Sequence, residues 1–267
     1  MKAIILAAGH GTRMLPITKT IPKELLPVGN KPVIHYIVEG LSKAGINDML
    51  IITSQSKKAL EDYFDKNYEL EDLLNKKWKT DALQAINEPK DLWNFTFVKQ
   101  TEQKGTGHAI LQAKPWIQDE FFMVVYADEI HHPKIYTEML DLHHQSGKSV
   151  ILWKEVAPDD VSKYGILQIE NNFITDIIEK PEPAQAPSNY ALFTPFIFPR
   201  KLFDLLEQSQ PDEKSGEVYP RDAVKHIMKT DGVVPYISTH PMRDASGNPE
   251  SRLATNVAFA NNPHILD

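Results

Sequence analysis

The sequence predicts an α/β chain: a mixed, mostly parallel sheet flanked by helices, with a β-rich second half. Three observations lead there. Short β-branched and aromatic runs alternate with amphipathic helical stretches up to residue 149. Beyond it, strand-like runs follow one another with little helix between them, and the last part returns to helix. Alternation of strand and helix calls for a parallel sheet with right-handed crossovers and helices on both faces.

Taken in order, residues 2–6, 48–53, 95–99 and 121–127 read as strands buried on both faces. Helices are expected at 32–44, closed by Gly45, at 57–65, at 69–79, and at 107–114, where Pro115 stops the run. In the second half, 150–156, 165–169, 173–178 and 191–198 are strand-like, and Glu170-Asn171-Asn172 is a hairpin turn. Pro195 within the last of these implies an edge strand or a bulge. Helices return at 200–208, 220–229 and 249–260, and 181–189 reads as a loop rather than a linker. The economical organisation is one domain over 1–267.

Composition narrows the function classes. With 42% hydrophobic residues in 267, the chain has ample material for a packed core. A formal net charge of −7 argues against a nucleic-acid binder, so any phosphate site must be a local concentration of cations. The absence of cysteine excludes disulfides, thiolate zinc sites and a cysteine nucleophile, and fits a reducing cytoplasm. Any metal must therefore take oxygen or imidazole ligands. No apolar run approaches the roughly 18 residues of a membrane span, and the run opening at Met1 is too short for a signal peptide. A soluble, cytosolic protein is expected.

The chemistry concentrates at residues 5–27, ILAAGHGTRMLPITKTIPKELLP. Ala7-Ala8-Gly9 leaves the first strand at its carboxyl end, where open α/β sheets bind ligands. Small side chains there let a flat ring approach the backbone. Gly9 and Gly11 permit positive φ and expose successive amide hydrogens that can cradle phosphate oxygens, while Arg13 and Lys23 add charge that the acidic chain otherwise lacks. A dinucleotide fingerprint would need glycine at position 14, where Met14 stands, so a hydride-transfer turn is excluded. Ser146-Gly147-Lys148-Ser149 has the tail of a P-loop, but its first glycine would fall at Leu142.

The whole segment resembles the nucleotide-binding signature of the sugar-1-phosphate nucleotidyltransferases, in which G-x-G-T-R is followed by P-K-E-L/M-L-P. Residues 54–74 look like the charged insertion of the bacterial UTP:glucose-1-phosphate uridylyltransferases. QTEQKGTGHAIL at 100–111, YADE at 126–129, YGILQI at 164–169, IIEKPEPAQAPSNYA at 177–191 and RDASGNPESRLATN at 243–256 follow in the family's order.

The resemblance implies a Rossmann-like fold of nucleotide-diphospho-sugar transferase type, nucleotide-binding over about 1–149 and sugar-binding over about 150–267. It implies transfer of a uridylyl group from UTP to a sugar 1-phosphate, above all glucose 1-phosphate, with pyrophosphate released. By the same resemblance, Arg13 and Lys23 hold the triphosphate, helped by the backbone of Gly9, Gly11 and Thr12. Ala7, Ala8 and Gly9 meet the base through main-chain groups, and Gln100 and Gly105 contact the pyrimidine. Lys180 takes the sugar's phosphate, Glu179 its hydroxyls, Gly165 permits close approach, and Asn189 stands on the sugar side. Asp128 and Asp244 are the implied ligands of Mg2+. Relatives commonly self-associate, so a homo-oligomer is expected.

Two alternatives are set against this reading. A thymidylyltransferase using dTTP fits less well with the 54–74 insertion and the step from Gln100 to Gly105. A catalytically silent nucleotide-sugar sensor should have lost a metal or phosphate residue, yet Arg13, Lys23, Asp128, Lys180 and Asp244 are all present. The sequence also departs from the family. Ser246 stands where glycine is usual, with Gly247 one residue later, and Thr194-Pro195 interrupts a strand. Glu129, His131 and His132 follow the metal aspartate, and a chance neighbourhood is favoured over a second ion site.

Overall fold

A computed structural model describes residues 1–91, 93–213, 215–262 and 264–266, with backbone only at 88–91. The β-branched run that opens the chain forms β1 (Lys2–Leu6), followed by a short hairpin of β2 (Pro27–Val28) and β3 (Lys31–Pro32). Then come α1 (Val33–Lys43), β4 (Asp48–Thr53), α2 (Lys58–Phe64), α3 (Tyr68–Lys76), α4 (Thr80–Asp91) and β5 (Asn94–Lys99). The middle of the chain gives α5 (Gly105–Leu111), β6 (Phe121–Tyr126), β7 (Glu129–His131), α6 (Pro133–Ser146) and β8 (Ser149–Glu155). β9 (Gly165–Glu170), β10 (Phe173–Glu179), β11 (Tyr190–Pro199), α7 (Leu202–Gln208), α8 (Arg221–Thr230), β12 (Val233–Ile237), β13 (Met242–Asp244) and α9 (Pro249–Asn261) complete it.

A nine-stranded mixed sheet organises these elements. β5, β4, β1 and β6 lie side by side and parallel, so their carboxyl ends share one edge. β11 then pairs antiparallel with β6, with β8 and, at Ala191, with β9, while β9 and β10 form a hairpin. Its turn places Asn171 and Asn172 at φ 50° and 63°, the left-handed pair that a two-residue hairpin needs.

Period-2 alternation divides the core between the faces of the sheet. Ala3 and Ile5 of β1 face α1 and α6, whereas Ile4 faces α5, α7 and α8. Both layers are built of buried apolar side chains, and each fully buried Leu, Ile or Phe side chain contributes about 1.5–3 kcal/mol. The predicted α/β class with helices on both faces holds.

One local expectation changes and another is resolved. Among the described residues β5 is an edge strand bonded to β4 alone, and its residues Phe95 to Val98 are half-buried rather than covered on both faces. Pro195 lies in an interior strand: the register of β11 against β8 shifts between Phe193 and Phe196, so the proline marks a bulge, not an edge.

The end of the described chain folds back on its beginning. Arg252 Nη2 donates to the Pro27 carbonyl at 3.0 Å, and the Gly29 N–H donates to Asn256 Oδ1 at 3.2 Å, so α9 holds the β2–β3 turn. Among the described residues, no helix is long and apolar enough to cross a membrane.

Candidate functional site

The glycine turn sits beyond β1, at the carboxyl edge of the parallel strands. Gly11 adopts φ 66°, ψ 31°, the left-handed conformation that a side chain would oppose, and Thr18 Oγ1 donates to its carbonyl at 2.8 Å. A Cβ on Gly11 would also crowd Thr18 Cγ2 at 3.2 Å. Gly9 does not use positive φ; a Cβ there would stand in open space. Ala7 is buried, its N–H donating to the Ile52 carbonyl at 2.8 Å and its own carbonyl accepting from Lys57 Nζ at 2.6 Å. Both of its main-chain groups thus already hold a partner within the protein.

Arg13 is exposed and unpaired among the described residues. Lys23, 15% exposed, forms an ion pair with Asp128 Oδ2. Its neighbour Glu24 is fully buried and accepts from Lys57 Nζ at 2.8 and 2.9 Å. Burial pushes the Glu24 carboxyl up and the Lys57 ammonium down. Thr12, Thr18, Lys19, Lys23 and Lys57 line a cleft of about 250 Å³. Sequence reasoning assigned no role to Glu24 or Lys57. The signal for Glu24 lay inside the P-K-E-L-L-P motif; Lys57 gave none beyond its place after β4.

Asp128 and Asp244 come from distant parts of the chain and are joined by backbone. β7 and β13 pair antiparallel with Asp244 opposite Glu129, and the N–H groups of Ala245 and Ser246 donate to the Asp128 carbonyl at 2.9 and 3.3 Å. Asp244 Oδ1 accepts from the Gly247 N–H at 2.6 Å, and its carbonyl accepts from Thr255 Oγ1 of α9 at 2.8 Å. A Cβ on Gly247 would fall 2.5 Å from both Asp244 carboxylate oxygens, while Ser246 packs fully buried. The glycine this loop requires is therefore the one at 247.

The donor chemistry fits a magnesium ion. Two hard carboxylates stand on paired backbone segments, and no group of three or more His, Asp or Glu among the described residues could enclose an ion unaided. A cation that keeps waters and takes phosphate oxygens suits such a pair. The neighbouring histidines have structural tasks. His131 Nδ1 meets Tyr136 Oη at 3.3 Å in the core, and His132 Nδ1 accepts from the Lys134 N–H at 3.2 Å, capping α6. Glu129 Oε2 accepts from Thr194 Oγ1 at 2.8 Å.

Gln100 ends β5 and is 3% exposed. Its Nε2 donates to the Gly105 carbonyl at 3.2 Å and to His108 Nδ1 at 3.0 Å, so both amide hydrogens are engaged. Its Oε1 takes no hydrogen bond among the described residues. Gly105 has φ 88°, and a Cβ would meet Glu217 Cβ and the Val218 carbonyl at 2.8 Å, so only glycine fits.

Across the sheet, Gly165 pairs with Glu179 in the β9–β10 hairpin, and a Cβ on Gly165 would meet Glu179 Oε2 at 3.2 Å. Lys180 adopts φ 45°, uncommon for a residue with a side chain, and is held there by its N–H donating to the Tyr164 carbonyl at 2.9 Å. Its Nζ stands 4.0 Å from Glu179 Oε1, and both side chains are exposed. Asn189 precedes β11, half-buried, with its carbonyl accepting from the Val156 N–H at 3.0 Å.

The structure thus assembles two groups, Lys23 with Asp128 and Asp244, and Gly165 with Glu179 and Lys180. No hydrogen bond or ion pair links them directly among the described residues. Tyr126, at the end of β6, lies between: burial pushes its phenol up, and the charges of Glu129, Asp128 and Glu179 add to the shift.

The family model described as Nucleotidyl transferase matches residues 2–239. A UTP--glucose-1-phosphate uridylyltransferase of Pseudomonas aeruginosa is 38% identical over 270 residues, covering 97% of this chain and 96% of the relative. Among solved structures, an apo UDP-glucose pyrophosphorylase superimposes with a TM-score of 0.90 at 36% identity, over 98% of this chain and 99% of that one. A UDP-glucose pyrophosphorylase complexed with UDP-glucose gives 0.86 at 35% identity, over 97% and 98%.

Proposed function

The chain belongs to the nucleotidyl transferase family, and from that premise we propose that it transfers the uridylyl group of UTP to glucose 1-phosphate, giving UDP-glucose and pyrophosphate. The observation that carries the reading is the Lys23–Asp128 ion pair beside the Gly11 turn, with Asp244 brought alongside by the β7–β13 pairing.

In this reaction a sugar phosphate oxygen attacks the α-phosphorus in line while pyrophosphate departs on the far side. Both reactants are anions, so positioning and charge neutralisation are the main tasks. Arg13, without a partner among the described residues, takes the β- and γ-phosphates as a fork. Lys23 exchanges its carboxylate partner for a phosphate oxygen, and the N–H groups from Gly9 to Thr12 supply further donors. Gln100 Oε1 accepts the N3–H of uracil, with Gly105 giving the base room.

On the acceptor side, Lys180 binds the sugar's phosphate, Glu179 accepts from sugar hydroxyls, Gly165 leaves space for the ring, and Asn189 adds an amide. Asp128 and Asp244 are the residues that would hold magnesium, which when bound supplies Lewis-acid neutralisation of phosphate oxygens. By position in the chain, 1–149 forms the nucleotide side and 150–267 the sugar side, with Asp244 returning to the former. The cysteine-free composition suits a reducing cytoplasm.

The test is a grid of UTP, dTTP, ATP and CTP against several sugar 1-phosphates with magnesium, reading pyrophosphate. UTP with glucose 1-phosphate is expected to be fastest. Preference for dTTP would move the protein to the thymidylyl branch, and no pyrophosphate from any pair would reduce it to a sensor.

A further inference from the structure

Lys57 lines the cleft beside Lys19 and Lys23, where a lysine would ordinarily be read as a phosphate ligand. Its bonding excludes that role. An ammonium has three N–H groups, and Lys57 Nζ has three acceptors: Glu24 Oε1 at 2.8 Å, Glu24 Oε2 at 2.9 Å and the Ala7 carbonyl at 2.6 Å. The residue is 5% exposed and Glu24 is fully buried. The acceptors belong to separate segments, the exit of β1 and the turn that carries Lys23. Lys57 itself is anchored after β4 by its N–H to the Ser54 carbonyl at 3.1 Å.

We infer that Lys57 is a positioning residue for the nucleoside triphosphate, acting through Ala7 and Glu24. The inference rests on the proposed reaction and gives this buried pair a task within it. One task is to fix the direction in which Ala8 to Thr12 leave the sheet. The other is electrostatic. Glu24 adjoins Lys23 in sequence and feels its charge after that of Lys57. With Lys57 satisfying both carboxylate oxygens, Glu24 does not compete with phosphate for the Lys23 ammonium. Without Lys57, the buried carboxylate would draw Lys23 away from the cleft.

The experiment measures UTP binding by calorimetry, together with KM for each substrate, in Lys57→Met, Lys57→Arg and the double variant Lys57→Met/Glu24→Leu. Breaking one side of a buried pair can unfold a protein, whereas replacing both partners by apolar residues of similar volume is often neutral or stabilising. The double variant therefore keeps the test answerable. Lys57→Met is expected to weaken UTP binding by between about tenfold and a hundredfold, the cost of a misplacement near 1 Å. The double variant should recover part of this, since Lys23 is released, but not all, since the Ala7 carbonyl stays without its donor. Lys57→Arg should come nearest to wild type, and KM for glucose 1-phosphate should stay within about twofold throughout, a split that a general loss of structure would not produce. Wild-type UTP affinity in a folded variant lacking Lys57 would overturn the inference, as would parallel rises in both KM values. A wild-type protein that binds no UTP would instead strike the proposed reaction, and the inference with it.

Discussion

On the nucleotide side of the cleft, Lys23, Glu24 and Lys57 have side chains 15%, 0% and 7% exposed, and both ammonium groups already hold an acceptor. On the sugar side, Glu179 and Lys180 are 51% and 63% exposed and stand 4.0 Å apart. The difference shows where ordering occurs. On the proposed nucleotide side, ion pairs already hold Lys23, Glu24 and Lys57, while Arg13 stays exposed. On the proposed sugar side the charged groups stand in water, and their ordering is expected to accompany the arrival of the acceptor. Substitution of Asp128 should therefore change turnover and loss of Lys57 the affinity for UTP, whereas substitutions on the second side should change the apparent affinity for the acceptor.

The largest expected effect is that of Asp128→Asn. It leaves the shape of the β7–β13 junction intact but removes the charge paired with Lys23, and kcat should fall by about 10²–10³, read by single-turnover kinetics with UTP binding followed separately. Wild-type turnover would remove Asp128 from the chemistry and erase the contrast. Lys180→Ala should chiefly raise KM for glucose 1-phosphate, by about tenfold to a hundredfold for one charge-assisted hydrogen bond of about 1.5–3 kcal/mol. An equal loss in kcat at unchanged KM would show that the sugar side is as preorganised as its counterpart.

The smallest effect concerns the packing that supports the nucleotide side. His35 of α1 lies buried with Nδ1 2.8 Å from Tyr63 Oη; burial, with Lys31 adding, lowers its pKa to about 4, against a weaker pull from Glu39. The unfolded chain takes up this proton near pH 6.5 and the folded one only near pH 4, so the stability is present above pH 6.5 and is lost as pH falls. Between pH 6.5 and 5 the loss attributable to His35 is about 1.5 kcal/mol. Urea unfolding at both pH values should show a smaller drop in His35→Gln than in wild type; equal drops would mean that the imidazole is not held neutral.

The parallel strands were legible because burial on both faces leaves continuous apolar runs: 2–6 and 48–53 match β1 and β4 in full. Elements whose pairing is decided by distant partners were not. β12 contains Pro235, which argues against a strand, yet it lies along β8; β7 and β13 have three residues each, too few for a pattern. α4 runs through Pro89, and α5 starts at Gly105 rather than 107. The site divides in the same way. Lys23, Asp128 and Lys180 sit in recognisable motifs. The Glu24–Lys57 bond joins residues 33 apart, with no sequence period to announce it.

The clasp of α9 on the β2–β3 turn affects the order of events at birth. Translation delivers residues 249–261 after everything they brace, including the Thr255 hydroxyl beneath Asp244 and the Asn256 amide beneath Gly29. While the nascent chain is still threaded through the ribosome, the strands made earlier must close on their own packing, without the hydrogen bonds that α9 later gives the Asp244 loop and the β2–β3 turn.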